Sequence, residues 1–423
     1  MTAVVAPPRK VSDRVRVASG TTPGRYRLWS LGAATVLLIA MVTATASAGR
    51  MKSATHQAET ESGPVLVATQ QLVSSLAAAD AAATAAFLSG RDEDPEQRRL
   101  YEQALARASQ QVEEIASLVG RDPDVRASLG RISVAITRYA GLVEAARASN
   151  RNATADASTY LVSAVRLADQ LIQGDVQALT TDTQANLTAD QNRRSRGVWI
   201  AVTALLAALA VLVLAQVMLL RTSRRIVNPP LALATLLVGV TLIWLVAANQ
   251  LSGRHLDRAR SRGYDSIVLT ARLGSAGFGA KAAETLALIT GDAGQRAQAD
   301  ADAANVQTLL VEAAASADSP REEAAVEDVD IRWQRYVATV AAQRGAPNAA
   351  AARAVAVGPA NSTFNGFNFA TQLVLSQNRD QFLDDLEEAA QTAARLPQGV
   401  LLLLLVALAA ALWGFQIRIN DYR

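Results

Sequence analysis

Four uncharged apolar stretches divide the 423-residue chain: Leu28–Ala48, Val198–Leu220, Leu231–Ala248 and Gly399–Ile417. Each approaches the ~20 residues that cross a ~30 Å hydrocarbon core as a helix. None contains Asp, Glu, Lys, Arg or His. The first and third gaps between them hold about 150 residues each, while the second, Arg221–Asn228, is a short turn. The chain therefore reads as two copies of one plan: span, large segment, span.

Charge sets the expected orientation. The N-terminal tail carries Arg9, Lys10, Arg14, Arg16, Arg25 and Arg27 against Asp13. The turn carries Arg221, Arg224 and Arg225, and the C-terminal stub Arg418 and Arg423. Basic residues in short loops mark the cytoplasmic side, so both ends and the turn are expected inside and both large segments outside. Tyr26, Trp29, Trp199, Trp244 and Trp413 lie near span ends, where aromatic anchors belong. The expected division is a basic tail (1–27), spans at 28–48, 198–220, 229–248 and 397–417, extracytoplasmic segments at 49–197 and 249–396, a turn at 221–228 and a stub at 418–423. Ala46-Ser47-Ala48 also fits a signal-peptide cleavage site. The matching third span argues for retention of the first.

The pI near 9.4 arises at the cytoplasmic ends, since the large segments carry 16 basic to 18 acidic and 14 basic to 18 acidic residues. That balance speaks against nucleic acid as a partner. With no Cys, the large segments lack disulfides and must be held by their own cores.

Both large segments read as helix. Ala, Leu, Gln, Glu and Arg dominate, and strand-like alternation is scarce. Breaks at Gly90-Arg91-Asp92, Gly120–Pro123 and Ala148–Asn152 predict helices over about 53–89, 95–119, 123–148 and 153–196. The second segment repeats the plan, with Phe87–Gly90 matched by Leu288–Gly291 and Arg138-Tyr139 by Arg335-Tyr336. Its break at Gly345–Pro359 predicts a looser connection before a Phe-rich last helix over about 361–396. The fold expected is all-α: four transmembrane helices and two extracytoplasmic four-helix bundles in tandem.

No set of residues supports catalysis, so the chain is expected not to be an enzyme. Two His in 423 residues, both beside spans, give no triad and no zinc site. No cofactor or metal is expected. Gly274–Gly279 lacks a preceding strand and predicts close helix packing rather than phosphate binding. Arg138, Tyr139, Arg335 and Tyr336 are the candidate ligand- or partner-contact residues, because Arg offers a fork for a carboxylate and Tyr a hydroxyl beside a ring. The competing reading buries each Tyr in a core and leaves each Arg on the surface. Charge-free spans disfavour transport. With so little mass inside, any output passes to another protein through the tail or through Arg221, Arg224 and Arg225.

The two span–bundle–span units, the Arg221–Asn228 turn, the Ala/Arg-rich composition and the near-absence of Cys, His and inner domains resemble a known plan. It is that of the actinobacterial four-span membrane protein encoded beside protein kinase G and a glutamine-binding-type lipoprotein. The resemblance covers the whole chain and rests on architecture, with no diagnostic motif. It implies a relay of extracytoplasmic aspartate or glutamate status, bound by a periplasmic solute-binding lipoprotein, to a cytosolic Ser/Thr protein kinase. A direct small-molecule receptor and a scaffold subunit of an envelope complex are the alternatives, and the plan admits a homodimer.

Overall fold

The computed structural model describes residues 22–91, 93–119, 123–154, 156–223, 228–317 and 319–420. Among them every regular element is a helix. The first repeat holds α1 (Thr22–Gln57), α2 (Gly63–Leu88), α3 (Pro95–Leu118), α4 (Pro123–Arg151), α5 (Ala157–Leu171) and α6 (Gln177–Ser223). The second holds α7 (Pro229–Arg258), α8 (Asp265–Thr290), α9 (Ala293–Ser316), α10 (Pro320–Arg344), α11 (Ala349–Val355), α12 (Asn361–Ala394) and α13 (Leu396–Asn420). Single π-helical turns at 58–62, 172–176, 259–264 and 356–360 join α1 to α2, α5 to α6, α7 to α8 and α11 to α12. The predicted inner ends of the first segment's helices match within a few residues, while the first and fourth run on into the apolar spans.

Helix ends follow local chemistry. The Asp94 carboxylate accepts the Glu96 N–H at 2.9 Å, and Pro95 follows as the first helical residue. The predicted cap at Asp122 lies outside the described residues. Gly90 and Gly291, matched in the two repeats, have φ of 77° and 71°, the left-handed conformation that suits glycine at a helix end. The connection expected to be loose over 345–359 is broken only between Arg344 and Ala349. Asn348 caps α11 through the Ala351 N–H at 2.8 Å. Pro359 lies inside a π-helical turn. Proline supplies no N–H and crowds the carbonyl a turn before it, and the wider turn accommodates both defects.

The chain forms two units. Of the described residues, one contains 22–56, 189–223, 228–254 and 388–420, and within it all four apolar helices pack together. Their buried residues recur at heptad-like intervals: Leu37, Ala40, Ala44, Ala48 and Met51 in α1, and Leu231, Ala234, Val238, Thr241, Leu245 and Ala248 in α7. This is the seam of a left-handed bundle. Ala48 and Ser47, at the candidate cleavage site, are inside it. The spans pack through small residues, with Ala208 and Ala410 buried and Ala204 packed against the same cluster. A Cβ on Gly414 would sit 3.2 Å from the Leu231 nitrogen. Asn228 precedes α7, its carbonyl accepting the Ala232 N–H at 3.0 Å, and its side chain donates to the Gly414 carbonyl at 3.0 Å, tying α7 to α13. Large side chains such as Leu31, Ile243, Leu402 and Trp413 point outward, the arrangement of helices solvated by lipid tails.

The other unit contains residues 57–188 and 255–387, so the two bundles share one body. Its centre is the α2·α8 pair. α2 is buried along almost its whole circumference, because it packs on the first bundle on one side and on α8 on the other. A helix apolar all round requires such a place. The glycines of Gly274–Gly279 meet neighbours at close range, as expected: Gly274 faces Thr371, Gly277 the Phe367 ring and Gly279 Asp302.

Candidate functional site

The predicted Arg–Tyr pairs separate. Arg138 and Arg335 are exposed, while Tyr139 and Tyr336 are 1% and 4% exposed in the two bundle cores. Consecutive helical residues point about 100° apart, so one face cannot present both. Tyr336 stacks with Trp333 at 5.2 Å and edge-on to Phe364 at 5.1 Å. Tyr139 donates its hydroxyl to Oδ1 of Asp80 at 3.4 Å. The pairs therefore do not form a joint site; in each, the tyrosine belongs to the core. Of the inner basic residues, Arg221 falls near the end of α6, and Arg224 and Arg225 lie outside the described residues.

The structure instead brings together residues that the sequence does not single out. A cavity of about 280 Å³ opens between the repeats, lined by α2, α5, α8 and α9. Asp80 enters it from α2, Asp169 from α5 and Asp302 from α9, with Arg272 of α8 as the one basic side chain in the wall among the described residues. Ala77, Ala168, Ile172 and Phe278 provide apolar lining.

The carboxylates perturb one another. Burial, helped by the negative charge of Asp169 and opposed by the Tyr139 hydrogen bond, pushes Asp80 up to about 7. Partial burial and the charge of Asp302 raise Asp169. Burial also raises Asp302, against the Gln298 hydrogen bond at 2.9 Å.

The repeats place opposite charges at matching positions. Asp80 lies ten residues before Gly90 and Lys281 ten before Gly291. Lys281 is buried with its Nζ 4.7 Å from the centre of the Phe364 ring. Burial lowers it to about 8, although Asp94 pulls the other way.

Two ion networks close the bundles. Arg147 reaches Glu93 at 2.6 Å and Glu144 at 3.3 Å, and Arg98 bridges Glu144 and Glu102. Arg344 grips buried Glu284 with both Nε and Nη2 and holds Asp300 at 2.7 Å, while Gln343 donates to Glu284 at 3.0 Å. Arg147 and Arg344 each lie eight residues beyond the matched tyrosine. That offset was a signal the sequence offered. The meeting of Asp80, Asp169 and Asp302 was not, since it requires the bundles to pack.

No curated protein and no solved structure matches the chain. Residues 54–192 match the family described as the actinobacterial sensor domain. The matched segment includes Asp80, Tyr139 and Asp169. Together with four helices long and apolar enough to cross a membrane, this similarity supports a membrane protein with a transmembrane sensing role.

Proposed function

We propose that the protein is a non-enzymatic relay. It passes extracytoplasmic amino-acid status, delivered by a solute-binding lipoprotein, to a cytosolic Ser/Thr protein kinase. Both bundles lie outside the membrane and both termini inside, as the Arg-rich short segments require. The observation that carries the reading is helix continuity. Residues 22–88 and 229–290 are helical without a break, and α6 is a single 47-residue helix from bundle sequence into apolar span. Such helices can transmit a small shift or rotation, the shear type of change. Only α12 and α13 are interrupted, at Arg395.

Aspartate and glutamate are poor direct ligands for the cavity, because three carboxylates would face a fourth and fifth. A partner that binds the acidic amino acid and docks on the bundles avoids this conflict. Crosslinking in intact cells tests the relay. Recovery of a solute-binding lipoprotein and a kinase is expected, and recovery of neither from a folded, membrane-inserted chain rejects it. A direct receptor is the second reading, favoured by the cavity itself.

A further inference from the structure

Asp80 is the most deeply buried carboxylate in this cavity. It is 7% exposed and lines the open volume. Its one hydrogen bond, from the Tyr139 hydroxyl to Oδ1, is long at 3.4 Å, and no donor among the described residues reaches Oδ2. A buried, half-partnered carboxylate is costly unless a cation or donor completes it. Asp169 and Asp302 add two more carboxylates against Arg272 alone, so the wall favours positive charge.

The geometry also distinguishes kinds of cation. A single metal ion needs ligand oxygens that converge, and these three carboxylates do not form a group within 4.8 Å of one another. Carboxylates set apart in a cavity whose wall alternates polar groups with apolar ones such as Ala77, Ala168, Ile172 and Phe278 suit charges separated by methylene groups. The volume of about 280 Å³ lies near the lower end of small-ligand pockets, ~300 Å³ and upward.

We propose that the cavity between the repeats binds a small aliphatic amine with two cationic centres, the inner ammonium on Asp80 and the outer on Asp169 and Asp302. The bound amine ties α2 and α5 of the first repeat to α9 of the second, so its presence stabilises one packing of the two bundles. This inference does not depend on the lipoprotein or the kinase.

Isothermal titration calorimetry on the full chain in lipid nanodiscs tests it, with 1,4-diaminobutane, L-lysine, L-glutamate and magnesium chloride as separate titrants. The diamine is expected to bind, and glutamate and magnesium are not. Binding of lysine as well as the diamine places the ligand among basic amino acids; binding of the diamine alone places it among free diamines. Asp80→Asn and Asp302→Asn should each weaken amine binding by roughly 10- to 100-fold, the loss of one charge-assisted hydrogen bond. Asp302 is half-buried on α9, so its variant keeps the test valid where Asp80→Asn disturbs folding, with helicity by circular dichroism as the check. The proposal is overturned by a folded wild-type chain that binds neither amine, by magnesium binding in their place, or by amine binding that folded Asp302→Asn leaves unchanged.

Discussion

The two bundles share one plan and fill it with different chemistry. The first has an aliphatic core: Leu72, Leu76, Ile115, Ile132, Ile136 and Leu179 are all buried. The second is aromatic, with Trp333 tilted against Phe367 at 4.9 Å and Phe364 in contact with Phe278, Tyr336 and Phe367. The first buries a carboxylate at the centre of its inner helix, and the second an ammonium. The first spreads its ion network over the surface, whereas the second anchors it on a buried Glu284. A duplicated backbone thus fixes where helices lie, while each copy chooses how its interior is filled. The shared cavity at the seam needs both choices, since its walls come from both copies.

The comparison is open to direct attack by mutation, read by thermal unfolding of the chain in detergent. The largest effect is expected in the aromatic core. Trp333→Ala should cost about 3–5 kcal/mol, and more than Ile132→Val in the aliphatic core, at about 1 kcal/mol. Equal losses would mean that the aromatic cluster contributes less than the volume it fills.

Next come the arginines. Arg344→Met strands a carboxylate whose side chain is 7% exposed, so a loss of about 2–4 kcal/mol is expected. Arg147→Met frees Glu93, 17% exposed, and Glu144, 46% exposed, both more open to water than Glu284, and should cost less, about 1–2 kcal/mol. A reversal of this order would show that the networks are not anchored differently.

A further effect depends on pH and vanishes in acid. Asp80 moves from 3.8 to about 7 on folding, so the folded chain holds the extra proton between those values. Its stability therefore falls as pH rises through that window, and the penalty is complete above it. Asp80→Asn should gain about 2–3 kcal/mol at pH 8 and almost nothing near pH 4, allowing about 1.4 kcal/mol per unit and some relaxation. Lys281→Met is the mirror case. The folded ammonium titrates at about 8 against 10.5, so its penalty is complete below the lower value and lifts as pH rises to the higher. A gain from Asp80→Asn that is equal at pH 4 and pH 8 would refute the buried charge.

Much of this was legible in the sequence, for identifiable reasons. The spans show because uninterrupted apolar runs have few other uses. The helix ends show because Asp94-Pro95 and Ser319-Pro320 combine a side-chain acceptor with a residue that needs no N–H. The last turn before the fourth helix was less legible: Gly358 and Pro359 look like a loop, and a single π-helical turn carries them instead. The α3 seam was legible in part. Of the apolar stripe Leu100, Leu105, Val112, Ile115 and Leu118, Val112 and Ile115 are buried and Leu105 and Leu118 pack against the core, while nearer the N-terminus Tyr101, Ala104 and Ala108 are buried, where alanines on α2 let α3 approach closely.

The candidate site was the least legible part. Arg138-Tyr139 and Arg335-Tyr336 recur and so attract attention, yet the recurrence reflects a conserved place in two cores. Asp80, Asp169 and Asp302 carry no pattern, being separated by 89 and 133 positions. Local sequence alone determined the helices, the spans and the doubled plan, since periodicity, caps and hydropathy act within a few turns. Only the tertiary structure decided that the bundles form one body and that three carboxylates meet at their seam. Charges become neighbours through packing between distant segments, and there burial decides what each one costs and what it can hold.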